Sequence, residues 1–328
     1  MIRKFFAALG CAVLGAAVML LALPLLPKQL LPHGRAETLA ATEAETAPAE
    51  PEPFDEAVTL RVLVDGAVRE QTLHDYLVCV LLAEVPSGFA AEALKAQACA
   101  ARTFALRQAG AGKHAEADVC ASAACCQGWC APEQWPEHAA AEAAVTETDG
   151  LAVVYDGQLI DATYFSCSGG RTEAAVAVWG GEIPYLQSVP SPGEEDAPRE
   201  TETLTFTAEE FRDRITPARP DADLSGAPET WFGTVRYTEG GGIGTLELGG
   251  ASFTGTELRR LLGLCSTDIE FSPQEDGVTV TTHGFGHRVG LSQYGAEAMA
   301  QAGRRFDEIL LHYYQGTEIR RLTLDGEK

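Results

Sequence analysis

Positive charge is scarce in this chain of 328 residues: 24 Lys and Arg stand against 47 Asp and Glu, for a net charge of −23. No basic patch stands out, so the chain lacks the cationic footprint that nucleic-acid binding requires. Internal repeats are absent, which argues against a solenoid or propeller array. The common paired Cys-x-x-Cys spacing is absent too, although the chain has nine cysteines. One long uncharged apolar block is present, from Phe5 to Leu26. It runs into Pro24, Pro27 and Pro32 without a clean Ala-x-Ala site, and it is longer than the core of a usual signal peptide. Its length suits a transmembrane helix. Arg3 and Lys4 precede it, which places a short N-terminus in the cytoplasm and the remainder outside. A cleaved signal peptide is the competing reading, and it exports the same remainder.

The expected organisation has three parts. Residues 1–31 form the cytoplasmic tip and membrane anchor. Residues 32–56 are rich in Ala, Glu, Pro and Thr and read as a flexible acidic linker with too little apolar surface to fold. Residues 57–328 form one mixed ectodomain of the α+β class, with two lobes and a substrate cleft. Outside the cytoplasm disulfides are permitted.

Within the ectodomain, Ala57–Val64 and Ala67–Leu73 flank Asp65-Gly66, a hairpin signal. Helical stretches follow at about Leu73–Glu84, stopped by Pro86, and at about Ala90–Ala109, with Leu94, Ala98, Ala101 and Ala105 on one stripe. A polar helical stretch lies near Ala139–Thr146. A second hairpin spans Leu151–Phe165 and turns at Asp156-Gly157. Residues 190–230 are rich in Pro, Asp and Glu and read as a variable excursion with one short helix at Ala208–Ile215. Strands resume at Gly233–Leu248 and Gly277–Thr282. A glycine loop spans His283–Gly290. Helices follow near Ser292–Gln301 and Phe306–Tyr314, and a strand near Glu318–Leu324.

Three regions can carry chemistry. Glu84 sits at the C-terminal end of an apolar helix, where burial and the helix dipole both disfavour the ionised carboxylate. A raised pKa is what a general acid near neutral pH needs. On the next helix, Lys95, Cys99 and Arg102 share a face opposite the alanine stripe. The second region gathers His114, Cys120, Cys125 and Cys126 within a short loop. Three thiolates and one imidazole form a tetrahedral set for structural zinc. The spacing alone leaves a disulfide, for instance of Cys120 or Cys126 with Cys130, as the alternative. The third region is the glycine loop with His283, His287, Ser292, Gln293 and Tyr294. Its glycines forbid the helix that a His-x-x-x-His metal site needs. The loop holding Tyr164, Ser166, Ser168 and Thr172 has a similar composition and suits the facing wall of a cleft.

Taken together, several segments resemble the stage II sporulation protein D (SpoIID) family over almost all of residues 57–324. They are Ala83-Glu84-Val85-Pro86, the stretch Ala93–Thr103, the Ser166-x-Ser168-Gly169-Gly170-x-Thr172 loop and the His283-Gly284-Phe285-Gly286-His287…Ser292-Gln293-Tyr294-Gly295 loop. Trp179-Gly180…Pro184-Tyr185-Leu186, Gly255–Arg260 and His312–Gly316 extend the likeness. The resemblance implies a lytic transglycosylase that cleaves peptidoglycan glycan between N-acetylmuramic acid and N-acetylglucosamine without water, leaving a 1,6-anhydro sugar. It puts the catalytic carboxylate on Glu84, glycan contacts on Lys95 and Arg102, and structural Zn2+ on His114, Cys120, Cys125 and Cys126. It also implies a setting at the mother-cell membrane facing the forespore, glycan stripped of stem peptides, and two partners: a sporulation amidase and a second engulfment membrane protein.

Two departures bear on these expectations. Members often carry His at the position of Cys125, where thiolate can replace imidazole. They commonly carry Gly at the position of Arg288, a cation expected to narrow the cleft or touch substrate. Two other functions compete with the lytic enzyme: a non-catalytic enhancer of a wall amidase, and a zinc hydrolase using His283 and His287.

Overall fold

The computed structural model describes residues 52–131 and 138–324. The expected membrane anchor lies outside the described residues, as does the linker up to residue 51. Among the described residues no helix is long and apolar enough to cross a membrane.

Folded structure begins inside the stretch expected to be linker. Phe54–Ala57 forms a short helix, α1, and its Asp55 is buried. The Asp149 carboxylate accepts from the backbone N–H groups of Phe54 and Asp55, which have no partner within the helix. Strands β1 (Thr59–Val64) and β2 (Ala67–Thr72) then form the expected hairpin. Asp65 and Gly66 take φ of 50° and 81°, the pair of positive values that a two-residue turn between right-twisted strands demands. Alternation along β1 sends Leu60, Val62 and Val64 inward.

Helix α2 (Leu73–Glu84) starts where the Thr72 hydroxyl accepts from Asp75 N–H. It ends at Glu84 because Val85, the residue before Pro86, is extended. Helix α3 (Ala91–Ala111) closes on Gly112, which is left-handed with φ 64°. This helix is the axis of the molecule. Leu94, Ala98, Ala101 and Ala105 face one core with α2, while Ala93, Ala96, Cys99 and Ala100 face another. Its small side chains let neighbours approach on both sides.

That two-sided burial bears on the glycan contacts expected of Lys95 and Arg102. Arg102 is completely buried, and Asp55 accepts from its Nε and Nη2 at 2.5–3.0 Å. Its Nη1 donates to Leu151 O at 2.9 Å. Lys95 pairs with Glu92 and Glu147 instead of lining a cleft.

Beyond α3, β3 (Val119–Cys120) lies parallel to β1. Helix α4 (Ala139–Glu147) packs on α2 and α3. Strands β4 (Leu151–Tyr155) and β5 (Gln158–Leu159) turn at Asp156-Gly157 as expected. The hairpin stops there. Strand β6 (Tyr164–Phe165) leaves it to pair elsewhere. Strand β7 (Gly170–Arg171), helix α5 (Ala175–Trp179) and strand β8 (Pro190–Ser191, paired with β7) follow.

The next segment has its own hydrophobic core. It contains β9 (Thr201–Thr207), α6 (Ala208–Ile215), β10 (Phe232–Tyr237), β11 (Ile243–Leu248), β12 (Ala251–Thr254), α7 (Gly255–Leu262), β13 (Asp268–Gln274) and β14 (Gly277–His283). The sheets run β10-β11-β12 and β13-β14-β9 around Phe206, Phe211, Trp231, Phe253 and Leu258. The excursion expected over residues 190–230 therefore contains a paired strand. Its Thr201–Thr207 sequence alternates and is β-branched, which outweighs the acidic composition around it. The chain then returns through β15 (Leu291–Ser292), parallel to β6, into α8 (Gln293–Gln301), α9 (Phe306–Tyr313) and β16 (Glu318–Arg321), which pairs with β4.

The buried pair yields a stability prediction. Arg102→Ala leaves the Asp55 carboxylate buried without its partner, at a cost of about 3–5 kcal/mol. Replacing both residues by apolar ones costs much less. Denaturant midpoints over a double-mutant cycle measure the coupling, and additive effects would contradict it.

Candidate functional site

An open cleft of about 540 Å3 lies where the end of α2, the loop after β3, β6 and the glycine loop meet. Glu84 lines it, with Tyr164, Phe165, Ser166, Phe285, His287 and Gln293 among its walls. No other carboxylate lines the cleft among the described residues.

Glu84 is half-buried and has no cationic partner among the described residues. Its Oε1 accepts from Gly128 N–H at 2.5 Å. Tyr164 and Gln293 side chains also donate toward it. Behind Tyr164 a directed chain of hydrogen bonds runs inward. Tyr76 O–H donates to Gln127 Oε1 at 3.0 Å, and Gln127 Nε2–H donates to Tyr164 Oη at 2.8 Å. That leaves the Tyr164 proton for Glu84. Burial raises the Glu84 pKa, and the donors from Gly128, Gln293 and Tyr164 pull it back; burial prevails. The Gln293 carboxamide is buried, and among the described residues its Nε2 makes no close, well-aligned hydrogen bond, so its donation to Glu84 is loose.

The loop that brings Gly128 to Glu84 is tied down by the second candidate region. The ligand atoms of His114, Cys120, Cys125 and Cys126 all lie within 4.8 Å of one another. His114 Nε2 is 3.2 Å from Cys126 Sγ and 3.8 Å from Cys125 Sγ. The edges of a tetrahedral zinc site with such ligands are about 3.8 Å, so the donor set fits a soft divalent metal. A turn in which Cys125 and Cys126 N–H both donate to Ser122 O lets the adjacent thiols converge. No disulfide forms among the described residues. Cys120 closes β3, so β1 fixes one side of the cluster, and the ligand Cys126 is followed at once by Gln127 and Gly128. A Cβ at 128 would lie 2.9 Å from Glu84 Oε1, so a larger residue there would displace the carboxyl.

The remaining candidates divide into two groups. Tyr164, Ser166, His287 and Gln293 join Glu84 at the cleft. Ser168, Thr172 and Ser292 are fully buried behind it. Glu194 organises the two serines: its carboxylate accepts from Ser168 N–H and Oγ, Gly169 N–H, Ser191 Oγ and Ser292 Oγ. Ser292 is also the N-cap of α8, so this knot fixes where Gln293 begins. Thr172 Oγ1 accepts from Val189 N–H, bracing the same loop. Tyr294 packs edge-on against Phe89 at 5.1 Å.

His283 faces Thr201 and Glu200, away from the cleft walls. His287 Nδ1 accepts from Val289 N–H, and its other nitrogen serves Tyr164 O. Burial, aided by the Arg259 charge, lowers its pKa to about 4. It is a neutral ring with both nitrogens engaged. Among the described residues the two histidines join no metal-binding group.

Arg288 does not narrow the cleft. It is wholly buried, with φ 63°, and donates to Ser168 O, Arg171 O, Gly240 O and Asp268. It pins the wall loop to the segment from β9 to β14. A left-handed position suits glycine, and here a buried network holds arginine in it.

Sequence reasoning missed Gln127, Gly128 and Glu194. The short-range signal for the first two was their place directly after Cys126. Glu194 stood in an acidic stretch with nothing local to mark it.

Comparisons place these residues among known proteins. The family model described as Stage II sporulation protein (SpoIID) matches residues 65–155, a span that holds Glu84 and the His/Cys cluster. Stage II sporulation protein D of Bacillus subtilis (strain 168) is 38% identical over 270 residues, covering 77% of this chain and 76% of that protein. Stage II sporulation protein D of Bacillus amyloliquefaciens is 35% identical over 294 residues, covering 85% of this chain and 84% of that protein. The Amidase enhancer of Bacillus subtilis (strain 168) is 28% identical over 287 residues, covering 72% of this chain and 39% of that protein.

The cluster geometry predicts one tightly held metal ion per chain. Elemental analysis of Cys120→Ser and Cys126→Ser should show that ion lost, with a lower melting temperature. Unchanged stability in metal-free protein would contradict the assignment.

Proposed function

The chain belongs to the SpoIID family of stage II sporulation proteins, and from that premise we propose that it is a lytic transglycosylase that cuts peptidoglycan glycan strands and leaves 1,6-anhydro-muramyl ends. The observation that carries this reading is the lone carboxylate of the cleft, with its raised pKa. Most glycosidases flank the scissile bond with two carboxyl groups. A reaction in which the substrate supplies its own nucleophile needs one. Protonated Glu84 donates to the leaving glycosidic oxygen. The muramyl 6-hydroxyl attacks the anomeric carbon, and its proton passes to Glu84. No water enters, and the carboxyl returns to its starting state.

Gly128 N–H, Tyr164 and Gln293 orient the carboxyl and stabilise its ionised form once the proton has left. Ser166 and His287 form glycan-facing wall. The metal in this reading is Zn2+ with four protein ligands and no open position, so it supplies rigidity to the loop bearing Gly128. The reading includes a single-pass anchor at Phe5–Leu26 with the catalytic body in the space between mother cell and forespore. It also includes an amidase that strips stem peptides beforehand and a second engulfment membrane protein as partners. The relative named Amidase enhancer supports a second reading, a non-catalytic helper of such an amidase.

The test is mass spectrometry of bare glycan strands incubated with the full-length chain. Wild type should release anhydro-muramyl products, and Glu84→Gln should reduce their rate by about 10²–10⁴-fold or more. The acid must be protonated at the outset, so the wild-type rate should fall as pH rises through the raised Glu84 pKa. The active window therefore extends above the ordinary glutamate value of about 4.3. A folded, metal-loaded wild type that releases nothing would favour the amidase helper.

A further inference from the structure

The Trp179-Gly180 motif has no part in the Glu84 chemistry or the metal cluster. Trp179 ends α5, and Gly180 caps that helix in the left-handed conformation with φ 78°. The indole is 46% exposed, and Val176 one turn earlier is 47% exposed. The two make a small apolar face, not a scattered single residue. Among the described residues the indole N–H has no acceptor in the protein.

The position of the indole gives this exposure meaning. Its ring centroid is 5.5 Å from that of His287, tilted by 55°. His287 in turn lies 5.6 Å from Phe165, edge to face. Phe165 and His287 both line the Glu84 cleft, and Trp179 is one ring beyond them. A continuous row of rings thus leads from the wall of the cleft to solvent. The middle ring is held fast, because Val289 N–H binds its Nδ1.

We propose that Trp179 is a sugar-stacking platform that holds a pyranose ring of the glycan strand where it leaves the cleft. The proposal rests on the glycan reading of the Glu84 site. A pyranose has an apolar face of C–H groups and a rim of hydroxyls. The flat indole offers a large rigid surface with a negative face for those C–H groups, at little entropic cost. Its free N–H, at the edge of the ring, can meet a hydroxyl or an acetamido oxygen. Stacking also needs no cation. This suits a chain with a net charge of −23 that must hold a polymer bearing muramyl carboxylates. The platform adjoins the wall ring, so a strand longer than the cleft gains a contact that a fragment filling only the cleft does not.

Calorimetry with a bare octasaccharide glycan strand tests the platform. The parent is full-length Glu84→Gln protein, which binds without turnover. Adding Trp179→Ala should weaken binding about tenfold, and Trp179→Phe should restore most of the loss. Equal affinity of the Trp179→Ala protein and its parent would overturn the platform and leave the glycan reading standing. Equal weakness of the Phe and Ala variants, with a lowered melting temperature in both, would assign Trp179 to structure and also overturn it. A folded parent that binds no glycan would overturn the platform and the glycan reading together.

Discussion

The hydrogen bond from Gly128 N–H to Glu84 joins a helix end to an irregular loop, and the cleft depends on their staying in register. Glu84 belongs to a rigid element, the end of an apolar helix buried from Tyr76 to Leu82. Gly128 belongs to a loop whose regular structure is two residues of strand and one turn. Such a loop has many conformations to lose. It is held by the convergence of His114, Cys120, Cys125 and Cys126, by the Gln127 bridge between Tyr76 and Tyr164, and by Cys130 N–H on Cys79 O. The cleft keeps its shape only if those ties hold, which gives the His/Cys cluster beside it a structural part.

The electrostatics of the site follow from where the cations go. Arg102 is spent on Asp55, Lys95 on Glu92 and Glu147, and Arg288 on carbonyls and acids behind the wall. None reaches Glu84. A cation beside that carboxyl would lower its pKa and strip its proton at neutral pH. The donors that do reach it are neutral: one backbone N–H, one phenol and one carboxamide. They position the carboxyl without overcoming the effect of burial. An acidic chain with buried, committed cations is therefore consistent with a general acid in its cleft.

Much of this was visible in the sequence where the signal was local. Asp-Gly turns marked both hairpins, the Pro86 stop placed Glu84 at a helix end, and the soft ligands of the cluster were close together along the chain. The interactions that depend on distant partners were not visible. Arg102 looked like a surface cation because its partner, Asp55, lay in a stretch with the composition of a linker. Ser168, Thr172 and Ser292 looked like substrate contacts because small polar residues beside glycines suit a binding loop. The partner of both serines, Glu194, sits in an acidic segment that gives no sign of being buried, and Thr172 is braced instead by Val189. Arg288 replaced an expected glycine, and only the carbonyls of Ser168, Arg171 and Gly240 explain how a large cation fits there.

The central claim is that a single carboxyl cuts glycan without water, and running the reaction in 18O-labelled water tests it most directly. The account predicts new muramyl ends of anhydro mass that carry no label. Labelled reducing ends would show that water attacks the anomeric carbon, and would contradict the one-carboxylate mechanism even if Glu84 proved essential.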